Sequence, residues 1–280
     1  MHLLTTLADL RQYVNDQKRQ GHTLGLVPTM GALHAGHLAL VAASRAANDR
    51  TVASVFVNPI QFNNPDDLAR YPRTLEADCA MLDAAGCDAV FAPSAAEMYP
   101  RPPALKVDFG TLETVMEGRF RPGHFNGVGV VVAKLFHLVQ PDRAYFGQKD
   151  LQQCAVVKRL IDDLSFPLEL VVCPTQREAD GLAMSSRNRN LTVAERAAAP
   201  FIFRELTKAK NRIADGQAVE TVKTVVERDF SANPAFRLEY FEVADPTSLE
   251  PLTGPLEGRP AALCVAAFLG KVRLIDNVLV

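Results

Sequence analysis

No stretch of this 280-residue sequence is long and apolar enough to span a bilayer. Its start, MHLLTTLADLRQYV, lacks the basic residues and the unbroken apolar block of a signal peptide. Cytoplasmic residence is the expectation by elimination. There is no basic excess either. With a formal net charge of -2 the chain is not built as a general nucleic-acid binder, although a local basic pocket for a phosphate-bearing ligand stays open. No two of the five cysteines fall in a CxxC spacing, which favours scattered reduced thiols over a zinc site or a disulfide framework. Two nucleotide signatures are missing as well. No GxxxxGK[ST] loop occurs, and Gly127-Val-Gly129 lacks the third glycine of a dinucleotide fingerprint, so a nucleotide would have to be held in another way.

What is present is an ordinary globular composition, 48% hydrophobic and 22% charged. A chain of this length can bury roughly three-quarters of its unfolded surface. Leu3, Leu7, Leu10 and Val14 share a helical face, and Gly21 ends that helix. Short apolar runs at 24–27, 51–57, 88–91, 144–146 and 168–173 read as strands. Segments 37–47, 75–85, 128–139 and 151–164 read as helices between them. The alternation predicts an α/β fold: a Rossmann-like parallel sheet with helices on both faces and ligands at the carboxyl ends of its strands. The runs contain few alternating polar residues, as strands buried on both sides require. The pattern changes near residue 175. Helices over 194–214 and 218–230, a strand over 237–243 and a hairpin of 261–268 with 272–279 predict a smaller α+β C-terminal domain. The expected domains are therefore 1–175 and 176–280.

Five segments carry chemistry. Pro28-Thr-Met-Gly-Ala-Leu-His34-Ala-Gly-His37 joins a strand to a helix; its glycines permit close approach and the helix start suits phosphate. The two imidazoles there can donate to a phosphate oxygen as charge builds. Zinc lacks a third nearby ligand at this loop. Gln61, in FVNPIQF, offers a donor and an acceptor past another strand end, though alone this segment is only a turn. Glu117-Gly-Arg119-Phe-Arg121-Pro-Gly123-His124 could clamp an anion, or be a solvated basic loop. Gly147-Gln148-Lys149-Asp150 again joins strand to helix, with Lys149 as a point charge and Gln153 one turn on. Met184-Ser185-Ser186-Arg187 lies at the expected domain boundary and suits gripping polyphosphate when a loop closes.

These residues resemble the HIGH and KMSKS nucleotidyltransferase superfamily, and within it the pantothenate synthetase family. PTMGALHAGH, FVNPIQF, YPRTLEAD, EGRFRPGHFNGV, PDRAYFGQKDLQQ and READGLAMSSRN occur in that family's order, and the terminal LGKVRLIDN is similar too. The resemblance implies an ATP-dependent ligase. Pantoate and ATP would give pantoyl-adenylate and pyrophosphate; β-alanine would then attack to give pantothenate and AMP. Mg²⁺ would accompany the phosphates, and the enzyme would be a homodimer with a C-terminal lid. Pantoate, β-alanine and ATP would be its partners, with no nucleic acid or membrane. By resemblance, His37, His34, Lys149 and Arg187 are catalytic, with His37 the proton donor. Met30, Gly31, Ala32, Leu33, His34, Ala35, Gly36 and His37 line ATP, as do Gly147, Gln148, Lys149, Asp150, Met184, Ser185, Ser186, Arg187 and the backbone of Gln176. Gln61 and Gln153 hold pantoate, and Gln61 also lies near β-alanine. Ala35 and Leu151 depart from the family's usual polar and aromatic residues, and neither side chain is needed for these roles. Two rivals remain: another adenylyl-transferring enzyme of the superfamily, or a non-catalytic ligand-binding protein on the same fold.

Overall fold

The computed structural model describes residues 1–280. In chain order its first strands and helices are β1 His2–Leu4, α1 Leu7–Arg19, β2 Leu24–Thr29, α2 Ala35–Ala47, β3 Arg50–Val55, α3 Pro65–Arg70, α4 Leu75–Ala84, β4 Ala89–Phe91 and α5 Ala95–Met98. There follow α6 Met116–Phe120, α7 His124–Val139, β5 Arg143–Gly147, α8 Leu151–Asp163 and β6 Glu169–Cys173. The remainder forms α9 Val193–Ala198, α10 Phe201–Ala214, α11 Val219–Ser231, β7 Phe236–Ala244, β8 Ala262–Leu269 and β9 Val272–Leu279.

Strands β1 to β6 form one parallel sheet in the order β1-β4-β3-β2-β5-β6. Successive strand residues point to opposite faces and both faces are apolar. Leu24 and Leu26 pack with α1, α7 and α8 on one side. Val27 packs with Leu40 and Val41 of α2 and Leu82 of α4 on the other. The strand order runs outward from β2 in both directions, so a crevice opens beyond the carboxyl ends of β2 and β5. PTMGALHAGH leaves β2 and GQKD leaves β5, so both segments arrive at that crevice.

The second sheet, β7-β8-β9, is antiparallel and shares a separate apolar core with α10 and α11. Polar contacts tie it to the segment that follows β6 and to α6. Arg177 makes a two-pronged bond to Asp276 of 2.6 and 3.0 Å. Arg273 donates to both oxygens of Glu117 at 2.8 and 2.6 Å.

Two expectations from the sequence are corrected. Leu3 lies not on α1 but in the edge strand β1, where it pairs with Val90 and is 51% exposed. The spacing 3, 7, 10, 14 mimics one helical stripe across a strand and a turn, and Thr6 caps the helix afresh by accepting from the Asp9 N–H. The helix expected over 194–214 is two helices. Pro200 cannot donate to the ladder and its ring crowds the preceding turn, so α9 ends and α10 starts around it.

Candidate active site

The turn after β2 is shaped by one carboxylate. Asp78 on α4 is 1% exposed. It accepts from the N–H groups of Ala32 at 2.9 Å and Leu33 at 2.8 Å, and from the Thr74 hydroxyl at 3.1 Å. Gly31 has φ +80°, which favours glycine, and a Cβ there would meet Asp78 Oδ2 at 2.9 Å. The pinned turn delivers His34 and His37 to the first turn of α2. His34 Nδ1 accepts from the Gly36 N–H at 3.1 Å, and His37 Nδ1 from the His34 N–H at 3.3 Å. Each neutral ring therefore carries its proton on Nε2. The rings lie 4.0 Å apart.

Both imidazoles are kept uncharged. Burial lowers His34 to about 3, helped by His37, Lys149 and Arg189. Burial lowers His37 to about 4, with Lys149 and Arg189 adding to it against the pull of Asp150. An imidazole in this state offers a hydrogen bond from Nε2 rather than an acidic proton. The folded values lie below the usual 6.5, so the unfolded chain binds more protons than the folded one below that pH. Stability therefore falls as pH drops from 6.5 toward 4, and none of this contribution is lost above 6.5. Histidine NMR titrations of the free protein are expected to place both midpoints below about 5; a midpoint near 6.5 for either ring would contradict this environment.

Around these rings a single cleft is lined by Met30, His34, Gly36, His37, Gln61, Gly147, Lys149, Asp150, Gln153, Gln176, Met184, Ser185, Ser186 and Arg187. The imidazoles, the ammonium and the guanidinium expected from distant segments thus share one space. Five candidates do not line it. Gly31, Ala32 and Leu33 are buried beneath the turn, with the latter two N–H groups spent on Asp78; Ala35 points to solvent; Gln148 turns toward Asn277. Nothing lies within 4 Å of where a Gly147 Cβ would stand, so the glycine faces open cleft.

The cations have partners. Lys149 lies 3.7 Å from Asp150 and is 17% exposed. Arg187 is bonded to Asp67 at 3.1 Å. The segment carrying Arg187 is docked on the histidine turn. Ser186 Oγ donates to the Ala32 carbonyl at 2.9 Å, and Arg189 to the Leu33 carbonyl at 2.8 Å. Gln61 is 7% exposed; its amide donates toward Met30 Sδ at 3.1 Å and accepts from Asn58 at 3.0 Å. Gly127 lets α7 approach this segment, since a Cβ there would meet the Ile60 carbonyl at 2.5 Å.

Sequence reasoning missed several supports. Asp78, Asn58 and Asn277 sat inside segments singled out as wholes, without roles of their own. Asn277 donates to the carbonyls of Gln148 and Lys149, both at 2.9 Å, and so fixes the GQKD turn from the other sheet. No local signal marks such a contact. Of the anion-clamp segment, Arg121 and His124 line the cleft while Arg119 is exposed and lies over the Phe120 ring. Glu117 is taken up by Arg273.

No helix is long and apolar enough to cross a membrane. The family model described as pantoate-beta-alanine ligase matches residues 2–279. The chain is 49% identical over 278 residues to the pantothenate synthetase of Bacteroides thetaiotaomicron, covering 99% of this chain and 98% of the relative. It superposes on the crystal structure of pantothenate synthetase from Thermus thermophilus with a TM-score of 0.93, at 46% identity and covering 99% of both chains. The enzyme from Francisella tularensis, solved in complex with beta-gamma ATP and beta-alanine, gives a TM-score of 0.78 at 33% identity, covering 100% of this chain and 97% of that one. With three histidines, a lysine and two arginines lining a cleft at the switch point of its parallel sheet, and matched along its whole length, the chain belongs to the pantoate-beta-alanine ligase family.

Proposed function

We propose that this chain condenses pantoate with β-alanine at the expense of ATP, through a pantoyl-adenylate. The observation that carries the reading is the convergence of His34, His37, Lys149 and Arg187 on one cleft beside Gln61 and Gln153. A pantoate carboxylate oxygen attacks the α-phosphorus, and the bond to pyrophosphate breaks. Alignment and charge neutralisation supply most of the rate in such a transfer. The Nε2–H groups of His34 and His37 donate to phosphate oxygens, and Lys149 compensates the charge that gathers there. Arg187 exchanges Asp67 for the polyphosphate. Gln61 and Gln153 orient pantoate. The β-alanine amine then attacks the acyl carbon and AMP leaves.

The adenine side is formed by Gln176, whose carbonyl already accepts from the Met184 N–H at 2.9 Å. Docking of the 184–189 segment on the histidine turn excludes water from a hydrolysable adenylate. Mg²⁺ fits this donor set as an ion carried by the nucleotide. No group of three His, Cys, Asp or Glu side chains forms a cage of its own, and Asp150 is the carboxylate in the cleft. Bound to the phosphates, the ion would offset their charge. We place the domain boundary near residue 175, where β6 has ended and the second apolar core begins with Leu182. Residues 1–175 bind nucleotide and pantoate, and 176–280 act as the lid. On the family's pattern the enzyme is a cytoplasmic homodimer.

The direct test is ATP–pyrophosphate exchange with pantoate alone. Exchange is expected with pantoate and absent with proteinogenic amino acids; the reverse would assign the chain to another adenylating enzyme. In the same assay Gln61→Ala is expected to raise the pantoate KM about tenfold, the loss of one well-placed polar contact. An unchanged KM would remove Gln61 from the pantoate pocket.

A further inference from the structure

The reaction joins two carboxylate-bearing substrates, and only one of the carboxylates is consumed. The acyl carboxylate becomes the mixed anhydride. The carboxylate of the amine substrate stays charged throughout, beside a nucleotide that is itself an anion. It needs a cation that the phosphates do not occupy. The cleft contains one whose carboxylate neighbour is shared with a second arginine. Lys149 stands beside Asp150, and Arg187 is bonded to Asp67. Arg121, 20% exposed, has Glu117 as its carboxylate neighbour at 3.6 Å, a distance like that of Lys149 from Asp150, but this carboxylate is shared with Arg273. Glu117 is already engaged by other groups. Arg273 donates to its two oxygens at 2.8 and 2.6 Å, and the Tyr240 hydroxyl adds a third bond at 3.0 Å.

The remaining contact orients Arg121 without neutralising it. Arg121 Nη1 donates to His124 Nε2 at 3.1 Å, and His124 Nδ1 donates to the Gln61 carbonyl at 2.9 Å. An arginine can only donate, so the tautomer is fixed with the proton on Nδ1. His124, 6% exposed, thus ties the guanidinium to the backbone of the residue that faces the acyl pocket. One of five guanidinium N–H groups is spent in this way and the fork is otherwise uncommitted. Arg121 also stands where two spaces meet. It lines the main cleft and an outer groove that carries Lys271 and Arg273. A short amino acid entering by that groove would meet Arg121 with its carboxylate and reach the cleft with its amine.

We propose that Arg121, held in place by His124, receives the carboxylate of the incoming β-amino acid; the proposal rests on the ligase reading above. Arg121 is the binding group, and His124 is a positioning residue that acts through it. The Arg121→Met variant separates this from other roles. Its KM for β-alanine in the complete reaction is expected to rise about 10- to 100-fold, the usual loss for a charge-assisted bond, with pantoate-dependent ATP–pyrophosphate exchange retained. The wild-type preference for β-alanine over β-alaninamide, which lacks the charge, should collapse in the variant. His124→Ala should raise the same KM with little change in kcat, and His124→Gln, whose amide oxygen can stand in for Nε2, should recover part of the loss. Should Arg121→Met not fold, Arg121→Lys keeps the charge without the fork and is expected to give an intermediate KM. An unchanged KM together with an intact preference for β-alanine overturns the proposal. So does a variant whose exchange falls in step with its β-alanine turnover, since Arg121 would then serve the first half-reaction. Absence of exchange in the wild-type protein would instead overturn the ligase reading itself.

Discussion

Lys149→Ala is expected to lower the rate of pantoyl-adenylate formation about a thousandfold, read as single-turnover formation of the adenylate in a rapid-quench experiment. The ammonium stands in the turn after β5, at the switch point of the sheet, where sheets of this kind receive their ligands. Its backbone is anchored. The Asn277 amide holds the carbonyls of Gln148 and Lys149 at 2.9 Å each, so the side chain starts from a fixed point. It is 17% exposed, and its charge is therefore screened less than that of a surface lysine. Neither of the other cations in the cleft can take its place. Arg187 is bonded to Asp67, and Arg121 is tethered to His124. Lys149→Arg should restore only part of the rate, because a planar fork cannot occupy the place of a compact ammonium. A Lys149→Ala enzyme that forms the adenylate within tenfold of the wild-type rate would strike Lys149 from the phosphate site.

The parallel sheet was legible because its strands are buried on both faces and read as unbroken apolar runs. Leu24 to Val27 shows it most clearly. β1 was not legible. Three residues at the chain start carry no periodicity of their own, and they become a strand only because β4 offers an open edge. The turns that line the cleft were legible for a related reason. Each combines a strand end, a glycine and a chemically active side chain within about ten residues, a range over which sequence spacing still reports spatial proximity. The supports of those turns were not legible. Asp78 lies 45 residues from Leu33, and Asn277 lies 128 residues from Lys149. Their roles come from tertiary contact, and a buried aspartate on a helix has the same local pattern as a solvated one until its partners are known. The anion-clamp segment lies between these cases. Its composition shows two arginines and a histidine, but only packing tells that Arg119 faces solvent while Arg121 enters the cleft.

Asp78→Asn is expected to lower pantoate-dependent exchange about a hundredfold although Asp78 need not touch a substrate, because misplacement of reacting groups by about an ångström has that cost. The Ala32 N–H points at one carboxylate oxygen and the Leu33 N–H at the other. Asparagine has one acceptor oxygen. In either orientation its NH₂ group faces a backbone N–H, so one bond becomes a donor–donor contact at a site that is 1% exposed. The chain relieves this by moving the turn, and His34 and His37 ride on that turn into α2. The same substitution should destabilise the fold by about 2 kcal/mol, measurable by urea unfolding, because a buried charge-assisted bond is lost. Gly31→Ala perturbs the same contact from its other side, adding a methyl 2.9 Å from Asp78 Oδ2 at a backbone φ of +80°. The two variants should therefore lose exchange together, with both imidazole resonances shifted in the free protein. An Asp78→Asn enzyme that exchanges at the wild-type rate with an unaltered KM for ATP would show that the histidine turn keeps its shape without the carboxylate.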